Sequence, residues 1–495
     1  MKISIIHHIG LATMGLALLS LTSCSDYLDK QPSKSSNASI TDASQLMGLL
    51  DGPTTFREAN TAACYMSDDN GLSNGILDAY ATMYQNAYYT AFYRDGIAGM
   101  TTDGLWSGEY AKIYSCNTII ENAASVTNQA LAKEALANAY FVRAWSYFLL
   151  ATYYCKPYTE ANLSSPGLPL RLGTTFEESV KRATLGETFD LILSDLKQAE
   201  ATTQDAVDPD HRWRVSKCAI NGLYARIYMY MGDYDKALEY TNAALANAPE
   251  LLDYNTLKAG RSETYRASMG MPEQTLEYCE TNNWGGQQYY FVNEFIFVRF
   301  TYNGYQWEIP SDNLTALFDQ TNDLRFKWFF VEHGNRRFNC TYDTYRYSQF
   351  DDGRYVFSGI STAELLLDKA ELEARKGNWQ EGLKYANTLR AKRYAAGSSY
   401  ELTAASQQEA LKEVLEERRR ELPFSIRIPD IKRFAVNSDP SDDVTITRDF
   451  YEMTQTGPTS NVQHISVAGD SPKLVLPIND MEINASHGVI EQNPE

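Results

Sequence analysis

The chain has 495 residues, a formal net charge of −19 and an ordinary hydrophobic fraction of 44%. That length and composition support a large folded core and argue against wholesale disorder. The acidic balance argues against nucleic-acid binding and against docking on anionic lipid through a basic surface, because both rely on cationic side chains.

Residues 1–23 read as a secretory signal. Lys2 precedes an apolar run over residues 9–19. The run is shorter than the ~20 residues of a spanning helix and suits a signal h-region. Leu21-Thr22-Ser23-Cys24 resembles the lipobox of bacterial lipoproteins, so Cys24 is the expected lipidation site. Residues 24–40 are polar and Ser-rich and read as a tether between lipid and fold. Residues 41–495 are expected to form one mainly α domain. Its helical scaffold is expected mainly over 105–250 and 361–422. A loop-rich ligand-binding insertion is expected over about 251–360, and an irregular C-terminal region over 423–495. Cys64, Cys116, Cys155, Cys218, Cys279 and Cys340 are far apart and form no CxxC. Those at 116, 155 and 218 lie in apolar helical stretches and are expected to be buried thiols rather than metal ligands. Spacing leaves any disulfide pairing open.

Tyr80, Tyr84 and Tyr88 make an i, i+4, i+8 stripe that reads as a core face. Trp106, after Thr102-Asp103-Gly104, is expected to pin a helix start. Residues 131–154 carry Leu131, Ala135, Ala139, Val142, Tyr147 and Leu150 at helical spacing, and Pro157 stops the run. Residues 184–200 read as another amphipathic helix. Two later segments are alike. One starts at Ser216 and turns at Gly232-Asp233-Tyr234; the other starts at Ser361 and turns at Gly377-Asn378-Trp379. Glycine, a ring at the bend and small facing residues are what a tetratricopeptide-type hairpin requires. The copies are not tandem, so dispersed hairpins that stack in space are expected. Ser361-Thr362-Ala363-Glu364 and Ser406-Gln407-Gln408-Glu409 have the capping-box pattern. The charged block at 416–421 is expected to form surface ion pairs, each worth ~0.3–0.5 kcal/mol.

Catalytic signals are weak. Gly71-Leu72-Ser73-Asn74-Gly75 matches G-x-S-x-G, but a polar turn precedes it where a nucleophile elbow needs an apolar strand. His211, His333, His464 and His487 are isolated in sequence, so neither a metal site nor a cofactor is expected. The doublets Asp68-Asp69, Glu177-Glu178, Asp351-Asp352 and Asp442-Asp443 read as solvated loop charge. A glycosidase needs only two carboxylates at the right separation, which spacing along the chain cannot exclude. The more informative cluster spans residues 281–309, where Trp284, Tyr289, Tyr290, Tyr302, Tyr305 and Trp307 alternate with amides such as Asn283. Sugar rings present apolar C–H faces and a hydroxyl rim, which suit aromatic faces and amides respectively. The candidate ligand-binding residues are Trp284, Tyr289, Tyr290, Tyr305, Trp307 and Asn283.

Several motifs occur in a fixed order: Cys24-Ser25-Asp26-Tyr27-Leu28-Asp29; Trp106, Tyr110 and Asn117; and Phe141-Val142-Arg143-Ala144-Trp145-Ser146-Tyr147-Phe148. The two hairpins follow, then Glu416-Glu417-Arg418-Arg419-Arg420-Glu421-Leu422, Leu476-Pro477-Ile478-Asn479-Asp480-Met481-Glu482-Ile483 and finally Gln492-Asn493-Pro494. Through them nearly the whole chain resembles the SusD/RagB-like nutrient-binding lipoproteins of the Bacteroidetes. The resemblance implies an outer-membrane lipoprotein at the cell surface that caps a SusC-like TonB-dependent transporter. It implies capture of an oligosaccharide, or in some members a peptide, without catalysis. It also implies that the tetratricopeptide-like face meets the transporter while outer loops hold ligand. The segment after the Arg-rich helix lacks the family's Glu-Gly-x-Arg, and only Asp430 and Arg433 keep the pattern that follows. No binding residue is carried over by motif. A surface glycoside hydrolase on a helical frame and a purely adhesive lipoprotein are the alternatives to a binding module.

Overall fold

The computed structural model describes residues 40–52, 56–59, 62–79, 84–175, 177–265, 273–284, 288–302, 308–333 and 344–494. The signal, Cys24 and most of the tether lie outside them, as do Tyr80, Tyr305, Trp307 and Cys340.

Long helices make the frame. α1 (Gly104–Asn122), α2 (Gln129–Tyr154) and α3 (Leu185–Ala199) pack in sequence, each on the next. Ala135, Ala139, Ala144 and Ala151 on α2 are buried, and small side chains there let its neighbours approach closely. α3 opens with a reciprocal capping box between Thr184 and Glu187. α4 (Lys217–Met231) and α5 (Tyr234–Leu245) form the first hairpin, α6 (Thr362–Arg375) and α7 (Trp379–Arg390) the second. Gly232 (φ +78°) and Gly377 (φ +92°) take the left-handed conformation that ends each first helix. As expected, the two hairpins stack, through α5 against α6, although a long insertion separates them in sequence. The Thr362 hydroxyl donates to the Pro249 carbonyl at 2.6 Å, so the insertion begins and ends at one point. α8 (Gln407–Glu421) then packs on both α6 and α7.

The charged end of α8 is not a solvated surface. Glu417 is 0% exposed, and Arg418 and Arg420 are also buried. α6 covers one side of α8, and the inserted helix Leu324–Phe329 supplies Arg325 from another. Arg418 donates to Asp430 at 2.8 Å and Asp368 at 2.5 Å; Arg433 donates to Asp430 at 2.8 Å and Glu371 at 2.6 Å. Arg325 pairs with Glu417 and Glu421, each at 2.8 Å, and Arg393 bridges Glu294 and Glu421. Burial pushes the Glu417 carboxyl up, but Arg325, Arg390 and Arg420 outweigh it and hold the group at about 2. Asp430 and Arg433, which keep the family pattern, sit in this network on α9 (Arg427–Phe434).

Three of the four carboxylate doublets also depart from the solvated reading. Asp69 is 0% exposed and accepts from Arg419 at 2.7 Å, while Asp68 accepts from Nε and Nη2 of Arg427. Asp352 meets Arg261, and Asp442 meets Arg375. Residues 423–495 are not simply irregular: they hold α9 and the longest ladder among the described residues. Residues Thr445–Thr454 pair antiparallel with Gly457–Ala468. Ile446, Phe450, Ile465 and Val467 face inward, and a register shift near Tyr451 breaks the alternation that would have announced the strands. The Asn493 side chain donates to the Tyr154 and Leu476 carbonyls and ties the chain end to α2. Cys64, Cys116, Cys155, Cys218 and Cys279 are buried free thiols.

β1 (Glu58–Ala59), from ahead of the frame helices, joins β2 (Phe300–Tyr302) and β3 (Tyr355–Phe357) of the insertion in a small sheet with β2 in the middle. β1 pairs parallel to β2 and β3 pairs antiparallel. Phe297, just before β2, packs against Phe141 and Trp145 of α2 at 4.6 and 5.5 Å, which seats the insertion on the frame.

Candidate functional site

A cleft of about 370 Å³ opens where four stretches remote in sequence converge. One wall is the turn Ala62–Met66, which offers Cys64 and Tyr65, and beside it the helix Tyr84–Thr90 offers Gln85, Asn86 and Tyr89. The start of α1, from Thr102 to Leu105, closes the floor. A further wall is Thr301 and Tyr302 of β2 together with Glu308, and Leu476 also lines the cleft.

Polar side chains and close backbone contacts hold these walls in place. The Asn70 amide donates to the Tyr65 carbonyl at 2.8 Å and to the Thr90 hydroxyl at 3.0 Å, joining the first two stretches. Gly71 N–H donates to the Ile309 carbonyl and Ser311 N–H to the Asp69 carbonyl, both at 2.7 Å, which pins the Glu308 wall. A Cβ on Gly71 would lie 2.4 Å from the Pro310 carbonyl oxygen, so only glycine permits the approach. The first glycine of the G-x-S-x-G match therefore serves a backbone contact. Its serine, Ser73, accepts the Ile76 N–H at 3.3 Å and caps a short helix.

Asp103 stabilises the floor. One of its oxygens accepts the N–H groups of Leu105 and Trp106, each at 3.1 Å, and the other accepts the Tyr154 hydroxyl. Burial nonetheless pushes its carboxyl above the usual range. The buried Trp106 ring lies 4.9 Å from Tyr110 and 5.0 Å from Tyr154, so it pins the helix start as its position suggested. Behind the floor, Glu109 meets Arg299 at 2.8 Å and Lys112 at 2.9 Å. Burial raises that carboxyl, but the two cations prevail and hold it at about 2. On the wall, burial pushes the Cys64 thiol up, and the negative charges of Glu308 and Asp69 push it further.

The aromatic cluster of the sequence divides three ways. Tyr289 and Tyr290 are structural: Tyr290 is 1% exposed, and Tyr289 packs at 5.0 Å on Phe300 and 5.1 Å on Tyr355. The two rings fill the core of the insertion because β2 and β3 present a ring-lined face there. Trp284 is half-buried and stacks on Phe350 at 6.3 Å, with Asn283 exposed beside it. Neither lines the cleft. Tyr305 and Trp307 lie outside the described residues, and the residues flanking their segment, Tyr302 and Glu308, both line the cleft. Tyr302 is 37% exposed, with one side against Tyr355 at 5.2 Å. Sequence reasoning grouped Tyr302 with the cluster but did not select it. It missed Gln85, Asn86, Thr102 and Glu308 altogether, since no local pattern joins residues so far apart. Of the tyrosine stripe, Tyr88 is partly buried against the core as expected, and its neighbour Tyr89 is fully buried beside it.

Together these features define a tetratricopeptide-like helical protein with an open, polar and aromatic cleft at the junction of frame and insertion. Residues 26–229 match a family model described as SusD-like, starch-binding and associating with the outer membrane, and residues 360–495 match that of the SusD family. The chain belongs to the SusD/RagB-like family. Its fold is similar to that of a SusD superfamily protein from Bacteroides thetaiotaomicron VPI-5482, with a TM-score of 0.65 and 17% identity over 92% of this chain and 100% of that one. A SusD-like carbohydrate binding protein from Bacteroides vulgatus ATCC 8482 gives 0.58 and 17% over 91% and 97%. A laminarin binding SusD-like protein gives 0.57 and 16% over 92% and 100%. No curated protein matches the chain significantly in sequence. Among the described residues, no helix is long and apolar enough to cross a membrane.

Proposed function

We propose that this chain is a lipid-anchored outer-membrane protein that captures an oligosaccharide in the cleft and hands it to a TonB-dependent transporter without cleaving it. The observation that carries the reading is the cleft itself. It holds one exposed ring, Tyr302, in the same lining as the amides of Gln85 and Asn86 and the Thr102 hydroxyl. A pyranose laid on the Tyr302 face would find amides for its hydroxyl rim within the same cleft, and Tyr305 and Trp307 follow Tyr302 closely in sequence. Similarity to proteins described as carbohydrate and laminarin binding supports a glycan over a peptide. Residues 21–24 support acylation of Cys24.

The test is calorimetry on protein lacking residues 1–24 against neutral oligosaccharides and peptides of matched length. A glycan should bind without release of reducing ends. Tyr302→Ala should weaken it about 3- to 30-fold, ~0.7–2 kcal/mol, the contribution of one stacked ring. Binding of peptide alone, or turnover of the glycan, refutes the reading. Mass spectrometry of the full-length membrane form checks the acyl groups on Cys24. Co-purification with an outer-membrane barrel checks the partner.

A further inference from the structure

The structure holds a second cavity of about 270 Å³, and Leu476 lines both it and the cleft. The two also share a stretch of chain. The helix Tyr84–Thr90 gives Gln85, Asn86 and Tyr89 to the cleft, and the residues that follow give Phe92, Tyr93 and Ile97 to the second cavity. Met100 and Thr102, next along the chain, line the cleft again. Alone, the second cavity falls just below the ~300–1,000 Å³ of an ordinary small-molecule site, whereas the two together fall inside that range.

Phe92 departs from local rules. It follows the helix in the left-handed conformation, at φ +53°. Its N–H donates to the Tyr89 carbonyl at 3.1 Å, and the Tyr93 N–H donates to the Tyr88 carbonyl at 2.8 Å, the pair of bonds that closes a helix in a Schellman motif. Glycine usually fills that position, because it has no Cβ to strain. Here a ring is held there instead, with a second ring beside it, and both line the cavity while packing in part against the core. Gly96 makes room for the second ring, since a Cβ on it would lie 2.4 Å from Cδ1 of Tyr93.

The walls are fixed without a ligand. Arg94 donates to the Val475 carbonyl at 3.3 Å and to the Asn493 carbonyl, and the Asn479 amide donates to the Met100 carbonyl at 2.7 Å. These bonds hold residues 94–100 against the segment that contains Leu476. The exposed Lys473 and Asp95 also belong to the lining. An ammonium and a carboxylate offer a donor and an acceptor, and a sugar hydroxyl can use either.

We infer that this cavity is a second sugar subsite, which takes a further residue of a chain already resting in the cleft and so favours longer oligosaccharides over short ones. Tyr93 and Phe92 supply the ring platform, and Lys473 and Asp95 meet hydroxyls. This inference rests on the proposed glycan-binding role of the cleft.

The experiment is calorimetric titration of protein lacking residues 1–24 with neutral oligosaccharides of one linkage and increasing length. Affinity should rise past the shortest chain that binds and level off once both cavities are filled. The step from the cleft to the second cavity should be about 3- to 30-fold, the contribution of one stacked ring. Tyr93→Ala should remove that step and leave the shortest binding chain as tight as before. Lys473→Ala, an exposed change with little bearing on folding, should reduce the step several-fold. Tyr302→Ala, by contrast, should weaken chains of every length. Affinity that is flat with length, or a Lys473→Ala protein that matches the wild type at every length, overturns the subsite and leaves glycan capture standing. Failure of every glycan to bind overturns both.

Discussion

Asp430→Asn probes the interior charge network with little change of shape. One Asp430 oxygen accepts from Arg418 and the other from Arg433, each at 2.8 Å, with all three groups buried. At an effective dielectric of about 20, a pair of charges at that separation attracts by ~6 kcal/mol before desolvation. Neutralising the carboxylate also removes its own desolvation penalty of several kcal/mol, which brings the net cost to about 3–5 kcal/mol. Arg418 keeps Asp368 and Arg433 keeps Glu371, so the low end, about 3 kcal/mol, is expected. With an m-value of ~3 kcal/mol/M or more, the urea midpoint should fall by about 1 M or less with the slope unchanged. The exposed pair Lys384–Glu381 is the comparison: Glu381→Gln should leave the midpoint where it was. If Asp430→Asn shifts stability by less than ~0.5 kcal/mol, burial is not what gives the network its weight, and the reasoning fails.

Gly71→Ala should cost about 1–3 kcal/mol and weaken glycan binding at the same time, because its Cβ would push the Pro310 wall of the cleft. Gly48→Ala, in the helix Ala43–Leu50 with nothing within 4 Å of the added carbon, should instead stabilise by about 0.5–1 kcal/mol and leave binding alone. Lys432 is buried with its ammonium on the Thr152 and Cys155 carbonyls, and burial pulls its pKa down to about 7. The unfolded lysine titrates near 10.4, so between about pH 7 and 10 the unfolded chain binds the extra proton. Stability from this group therefore rises with pH across that window, by at most ~1.4 kcal/mol per pH unit. Unfolding midpoints at pH 7 and 9 should differ more for the wild type than for Lys432→Met, and an unchanged difference would contradict the shift.

The frame was legible because its signals are local. Glycine turns at 232 and 377, the caps at Ser361 and Ser406 and the apolar spacing of 131–154 each report on a few adjacent residues. Order along the chain did the rest. The block at 416–421 was misjudged because periodicity treats Glu and Arg as outward-facing, whereas partners from Arg325, Asp368 and Asp430 arrive from far away in sequence. Tyr289 and Tyr290 were misjudged for a related reason. A ring beside amides looks the same whether it faces sugar or Phe300. The cleft was the least legible part, since Gln85, Thr102 and Glu308 meet through long-range contacts such as the sheet order, the Asn70–Thr90 bond and the Gly71–Ile309 contact.

The bond between Thr362 and Pro249 marks where the inserted region leaves the frame and where it returns. A detour that starts and finishes at one clamp imposes no span on what lies between, and lengthening a closed loop adds closure cost only slowly, about 0.6 kcal/mol per doubling. The helical hairpins on either side meet whatever the detour contains. Such a plan separates two kinds of change. The wall that the detour supplies to the cleft, Thr301, Tyr302 and Glu308, can be rewritten, while the walls from residues 62–65, 85–89 and 102–105 and the stacked hairpins stay as they are. A transplanted insertion joined at 249 and 362 would exchange that one wall and leave the rest of the cleft in place.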